Sequence, residues 1–223
     1  MSDGSAGEHA GGSSWRRGIV TDRSNTVTGP ALAMLDVAEI PPGLRALDAL
    51  VKEAPVTVLG AGTIQCGRYL ILFAGEVEPV GYAYRKACEA LGPSLLDRVL
   101  LPHAEARVVP AVSDGAIRWP APGDTLGALQ AGSSPTMLAA VDAALKGTEV
   151  DLVQLRAADG LGGKAIAMLW GETHAVEAAV ALCHQAFANG RGDGCSSAVV
   201  RNADAEVGRA MTPWSGFYSG WRG

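Results

Sequence analysis

Four cysteines, Cys66, Cys88, Cys183 and Cys195, and four histidines are the side chains best suited to nucleophilic or metal chemistry. The cysteines have no CxxC spacing, so neither a zinc site nor a dithiol redox motif is written here. Cys183 and His184 are neighbours on an expected helix, where each residue advances about 100°, so they do not share a face. Cys88, Cys183 and His184 therefore read as structural, and His174, at a helix start, as exposed. Gly163-Lys164 suggests a phosphate cradle, but Ala165 follows, the upstream glycine spacing is wrong and a strand comes next. Arg191-Gly192-Asp193 reads as a turn. With no Ser–His–Asp set and no paired acids, an enzyme is the weakest reading of the chain. What remains is two glycine-bearing stretches, Gly60 to Gly67 and Gln154 to Gly163.

These stretches occupy the same place in two copies of one pattern. Leu47-Asp48-Ala49-Leu50-Val51-Lys52 returns as Val141-Asp142-Ala143-Ala144-Leu145-Lys146, and Tyr69 to Glu76 returns as Ala165 to Glu172. Lys52 and Lys146 are 94 positions apart (146 − 52), whereas Gly75 and Gly171 are 96 apart (171 − 75). The second copy therefore gains two residues, and the gain falls in the glycine-bearing stretch. Surface loops tolerate insertion and carry function on a rigid scaffold, so these two loops are the first candidate site. A repeat of whole supersecondary units makes the question one of what a doubled module is for.

The elements that position the loops follow from periodicity. Ala31 to Val37 reads as a strand, and Pro41-Pro42-Gly43 opens a helix with Leu44, Leu47, Leu50 and Val51 at helical spacing. Strands at Val56 to Leu59 and Tyr69 to Ala74 flank the first loop. A helix from Glu78 to about Leu91 and a strand from Leu95 to Leu101 complete the half. The second half repeats the order. It has strands at Thr125 to Gln130, Val150 to Leu155, Lys164 to Trp170 and Ser197 to Arg201, and helices at Ser134 to Lys146 and His174 to Asn189. Each half is β-α-β-β-α-β, an α+β fold of two tandem ferredoxin-like domains. The expected divisions are a mobile N-terminal arm over 1–30, a first domain over 31–112, a Pro-rich linker over 113–123, a second domain over 124–211 and an aromatic tail over 212–223.

The 223 residues suit two small domains. A net charge of −5 argues against nucleic acid as a partner. No apolar run reaches the roughly 20 residues that span a bilayer, and the N-terminus lacks a signal pattern, so a cytoplasmic protein is expected. The cysteines then read as free thiols. Three of the five tryptophans, Trp15, Trp214 and Trp221, lie near the chain ends, which suggests tails that dock on a neighbour.

The Asp-Ala-x-x-Lys helix endings, the unit Cys66-Gly67-Arg68 to Ala74-Gly75-Glu76, and the unit Gly160-Leu161-Gly162-Gly163-Lys164 leading to Trp170-Gly171-Glu172 carry a resemblance. Over Pro30 to Met211 the chain resembles bacterial microcompartment shell proteins of the tandem-domain, trimeric class, in the unpermuted order seen in propanediol-utilising compartments. The resemblance implies a structural shell subunit, a homotrimer shaped as a pseudohexamer. Such a trimer would self-assemble edge to edge with other shell proteins, hexamers and pentamers, in the wall of a cytoplasmic compartment. Closed symmetry suits a thin domain, because it covers apolar surface without leaving a growing edge.

The same resemblance implies site residues. Ile64, Gln65, Cys66 and Gly67, with Gly160, Leu161, Gly162 and Gly163, would line a central pore for small polar metabolites. Lys52 and Lys146 would lie on the outer edge, their stems against a neighbouring oligomer; as helix-end cations alone they would contribute about 0.3–1 kcal/mol. His103 and Arg201-Asn202 would form a second edge contact. Some relatives hold an iron–sulfur cluster on a loop cysteine in the pattern Thr-Ile-Cys-Pro-Gly. Here Gln65 takes the cysteine position and Cys66 the proline position, and a one-residue shift on an extended loop turns the side chain away. The expectation is no cofactor. A redox relay with a cluster at Cys66 is one alternative, and a ferredoxin-like small-molecule sensor is the other.

Overall fold

The structure, a computed structural model, describes residues 29–114, 124–158, 160–190 and 193–210. The N-terminal arm before residue 29, residues 115–123 of the linker, Asp159, Arg191-Gly192 and the aromatic tail lie outside the described residues.

The first half runs β1 (Ala31–Val37), α1 (Ile40–Glu53), β2 (Thr57–Ile64), β3 (Arg68–Gly75), α2 (Val77–Leu91) and β4 (Leu95–Leu101). A short helix, α3 (Val108–Asp114), follows. The second half runs β5 (Thr125–Ala131), α4 (Ser134–Gly147), β6 (Asp151–Arg156), β7 (Ala165–Gly171), α5 (Thr173–Asn189) and β8 (Ser196–Val200), then α6 (Ala205–Ala210). The sheets are antiparallel, ordered β2-β3-β1-β4 and β6-β7-β5-β8. This bears out the doubled β-α-β-β-α-β reading. Even the irregularities repeat: the register shifts between Val58 and Gly60 against β3, and between Leu152 and Gln154 against β7.

Strand alternation explains the layers. Ala33, Leu35, Ile71 and Phe73 face the helices of their own half and close a core with Ala46, Leu50, Val80, Ala83 and Ala87. Gly43 lets α1 approach closely, because a Cβ there would stand 2.6 Å from the Tyr69 ring. The opposite face of this sheet, with Leu32, Met34, Leu70, Leu72 and Val99, belongs to a second core with Met137, Leu138 and Val141 of α4. Helix α4 thus lies between the two sheets, packed on β5 and β7 of its own half and on β1 and β4 of the other.

Polar groups fix this joint between the halves. Asp97 on β4 accepts from Thr136 N at 3.1 Å and Thr136 Oγ1 at 2.7 Å, and also from the Ser133 hydroxyl. A carboxylate there accepts from the open first turn of α4, where Pro135 has no N–H and needs no acceptor. At the other end of α4, Arg107 donates to Leu145 O at 3.1 Å and Val150 O at 2.8 Å, and Glu105 N donates to Asp142 Oδ1 at 2.7 Å. These bonds anchor α3, a helix that its β-branched, proline-containing sequence does not announce.

Candidate pore loops and assembly edges

The first loop is shorter than its glycines suggest. Strand β2 continues through Gly60 to Ile64, pairing Gly62 with Leu70 and Ile64 with Arg68. Only Gln65, Cys66 and Gly67 form the turn. The stretch read as a loop from Gly60 is therefore strand up to Ile64, because the β2–β3 ladder holds it. In the second half the ladder stops at Arg156 paired with Ile166, the counterpart of Gly62 with Leu70. Seven residues separate that first pair and nine the second, so the two-residue gain sits in the hairpin tip.

The two tips meet. Gly162 N donates to Gln65 Oε1 at 2.8 Å. Gly160, Gly162 and Gly163 all have positive φ, which frees the backbone to double back at this point. Ile64 and Gly163 are buried, Leu161 is half-buried, and Gln65, Cys66, Gly67, Gly160 and Gly162 are exposed. One end of the chain therefore gathers both glycine-bearing segments on the same rim.

An ion pair that the sequence reading missed holds this rim to the sheet. Asp36, fully buried in β1, accepts from Arg68 Nε at 3.0 Å, and a second bond joins Arg68 Nη2 to Asp36 Oδ2. A forked guanidinium on a carboxylate is a strong, orienting contact. Arg68 also fills the space over Gly163, where a Cβ would stand 2.2 Å from Nη1. The signal was available: Asp36 is the lone acid in an apolar strand. In the second half Gln130 replaces Asp36 and Lys164 replaces Arg68.

Cys66 sits at the tip of the first turn with φ 66° and ψ 23°, a left-handed conformation uncommon for a side chain other than Asn or Asp. It is exposed. Cys183, by contrast, is buried against Ala140 O at 3.5 Å, and burial pushes its thiol up to about 12. Cys66 will therefore alkylate rapidly in the native protein while Cys183 reacts only on unfolding, as mass mapping after a timed iodoacetamide pulse will show; equal labelling of the two would contradict this burial. Within one chain Cys66 has no second thiolate beside it, and no group of three metal-ligating side chains occurs among the described residues. A single chain thus does not fit an iron–sulfur cluster, which would need thiols from several chains.

The other singled-out residues lie apart from this rim in the chain's architecture. Lys52 and Lys146 end α1 and α4, each paired four residues back, Lys52 with Asp48 at 2.7 Å and Lys146 with Asp142 at 2.5 Å. His103 is exposed in the turn after β4, and Arg201 and Asn202 are exposed in the turn after β8. Arg201 pairs with Glu177, with Nε at 3.0 Å from Oε1. His184 donates to or accepts from the Ser197 hydroxyl at 2.7 Å and meets Phe187 edge-on. Half-buried Tyr84, beside Cys88, has its phenol pushed up to about 12, chiefly by burial and then by the Cys88 charge.

Two tandem domains of this topology, each bringing one hairpin tip to a common rim, define a doubled shell module. The chain belongs to the BMC domain family, matched at residues 31–104 and 125–203. It is 30% identical to the bacterial microcompartment shell protein PduT of Citrobacter freundii, over 70% of this chain and 83% of that one. It is also 30% identical to the carboxysome shell protein CsoS1 of Prochlorococcus marinus, over 41% of this chain and 92% of that shorter one. Among solved structures it resembles a microcompartments protein from Desulfitobacterium hafniense DCB, with TM-score 0.69, 28% identity, and coverage of 80% of this chain and 98% of that one.

Proposed function

We propose that the chain is a structural shell subunit of a bacterial microcompartment, built as a homotrimer that tiles with other shell proteins and passes small polar metabolites through a central opening. The observation that carries the trimer is an inequality between equivalent helices. On α4, Leu138 is 1% exposed and Leu145 4%, because the first sheet covers them. Their counterparts on α1, Leu44 and Val51, are 52% and 46% exposed. Conversely, Met34, Leu70 and Leu72 of the first sheet are buried, while their counterparts Ala128, Ile166 and Met168 in the second are half-buried. One chain thus carries an uncovered helix at one end and an uncovered sheet face at the other, each matching a joint already made inside it. Such a head-to-tail surface closes into a ring when the rotation allows, and two domains per chain make three chains a six-fold outline.

In that ring Gln65, Cys66 and Gly67, with Gly160 to Gly163, surround the axis, and Lys52 and Lys146 lie at the periphery with His103, Arg201 and Asn202. The subunit is not an enzyme, carries no resident cofactor and sits in the cytoplasm, in the compartment wall. Among the described residues no helix is long and apolar enough to cross a membrane.

Lys52→Ala with Lys146→Ala should leave trimers intact and stop them tiling. Native mass and electron microscopy of the same preparation read both outcomes; sheets formed by the double variant would refute the edge assignment.

A further inference from the structure

The two short helices that follow the final strands, α3 and α6, are introduced by the same turn. Ala104 N donates to Pro30 O at 2.9 Å, and Ala203 N to Asp124 O at 3.0 Å. Arg107 N donates to Glu105 Oε2 at 3.0 Å, and Glu206 N to Asp204 Oδ1 at 2.8 Å. Val108 N then donates to Glu105 O, and Val207 N to Asp204 O. Glu206 therefore occupies in the second half the place that Arg107 takes in the first.

What the two helices cover differs. Helix α3 lies against β6 and α4, and Val108, Ala111 and Val112 are buried in one core with Val150, Leu152 and Leu155. The counterparts of the last three in the first half, Val56, Val58 and Ala61, are only half-buried. Val207 is half-buried too, at the border of the cluster of Leu126, Val153 and Trp170. A ring repeats between chains the joint made inside one, so α6 meets α1 and β2 of the next chain and covers those three residues.

The polar half of the joint does not repeat. Arg107 ties Leu145 O and Val150 O together. The equivalent carbonyls on the next chain are those of Val51 and Val56, and Val51 lies in the last turn of α1, where carbonyls need donors from beyond the helix. Glu206 brings them a carboxylate, which when ionised only accepts. Asp204 stands in the same turn, and α1 of the next chain adds Asp48, Lys52 and Glu53, with Lys52 engaged by Asp48.

We infer that α6 clasps α1 and β2 of the next chain, and that Glu206 keeps this clasp weaker than its copy inside the chain, so that the ring exchanges subunits. This rests on the trimer reading. A donor restored at residue 206 would act mainly on the rate of dissociation, as changes within one interface do.

The test is subunit exchange. Full-length trimers of ordinary and of heavy-isotope-labelled chains are mixed and followed by native mass spectrometry. Mixed trimers are expected to appear with time. Glu206→Arg, which supplies the donors that Arg107 supplies internally, should slow their appearance about tenfold or more, and Glu206→Gln by less. Glu89→Arg makes the same change of charge at an exposed position of α2 and should leave the rate as it is in the unaltered chain. Unaltered trimers that never mix overturn the inference. So does a Glu206→Arg trimer that exchanges as fast as the unaltered one, or is slowed no more than Glu89→Arg. The same spectra separate the two levels: trimers whose exchange ignores Glu206→Arg defeat only the clasp, whereas monomers in every sample defeat the ring beneath it.

Discussion

Leu44→Asp combined with Val51→Asp will yield a folded monomer. Both side chains are about half exposed in the single chain. Substitutions at such positions cost the isolated fold little, about 0.5 kcal/mol or less each. In the ring, however, both sit where Leu138 and Leu145 sit in the internal joint, inside an apolar core. Two carboxylates buried there without partners should weaken association about a hundredfold or more. The equivalent changes on α4, Leu138→Asp and Leu145→Asp, should instead unfold the chain, since those residues are already covered. Analytical ultracentrifugation beside circular dichroism distinguishes the cases. A double α1 variant that stays trimeric would show that this helix is not the joint.

Arg68→Met should strongly destabilise the fold of the first half. It leaves the Asp36 carboxylate fully buried with its guanidinium gone, and breaking one side of a buried pair costs about 3–5 kcal/mol. Urea denaturation would show the midpoint falling. Adding Asp36→Leu should restore most of the loss, because an apolar pair of similar volume replaces buried charges at little or no cost. The corresponding Lys164→Met should be nearly silent in the same assay, since Lys164 is exposed. A loss below about 1 kcal/mol for Arg68→Met would mean that water reaches Asp36 once the arginine is removed.

The parts that the sequence disclosed are those written in short-range pattern. The two copies, their strand and helix order and the position of the two-residue gain all follow from alternation, helical spacing and turn residues. The first loop was overread because glycines at 60 and 62 look like a turn, although β3 supplies a ladder that carries β2 on to Ile64. The short helices Val108–Asp114 and Ala205–Ala210 were missed because neither has the length or pattern to stand alone. The first is held by Arg107 and Glu105 reaching across to α4. At the rim, the glycines were legible but Arg68 and Asp36 were not singled out. They are 32 positions apart, and only the β1–β3 pairing makes them neighbours. The contrast between exposed Leu44 and buried Leu138 was also invisible, since both occupy the same place in nearly the same helix. Only the packing of the second domain on the first tells them apart.

The central claim is that this chain closes on two copies of itself and then tiles. The most direct test is to purify the full chain, measure its mass in solution and image it by electron microscopy. The account predicts a species of three chains with a six-sided outline that grows into flat sheets or closed shells. A monomer, or a small soluble species that never tiles at any concentration, would contradict it.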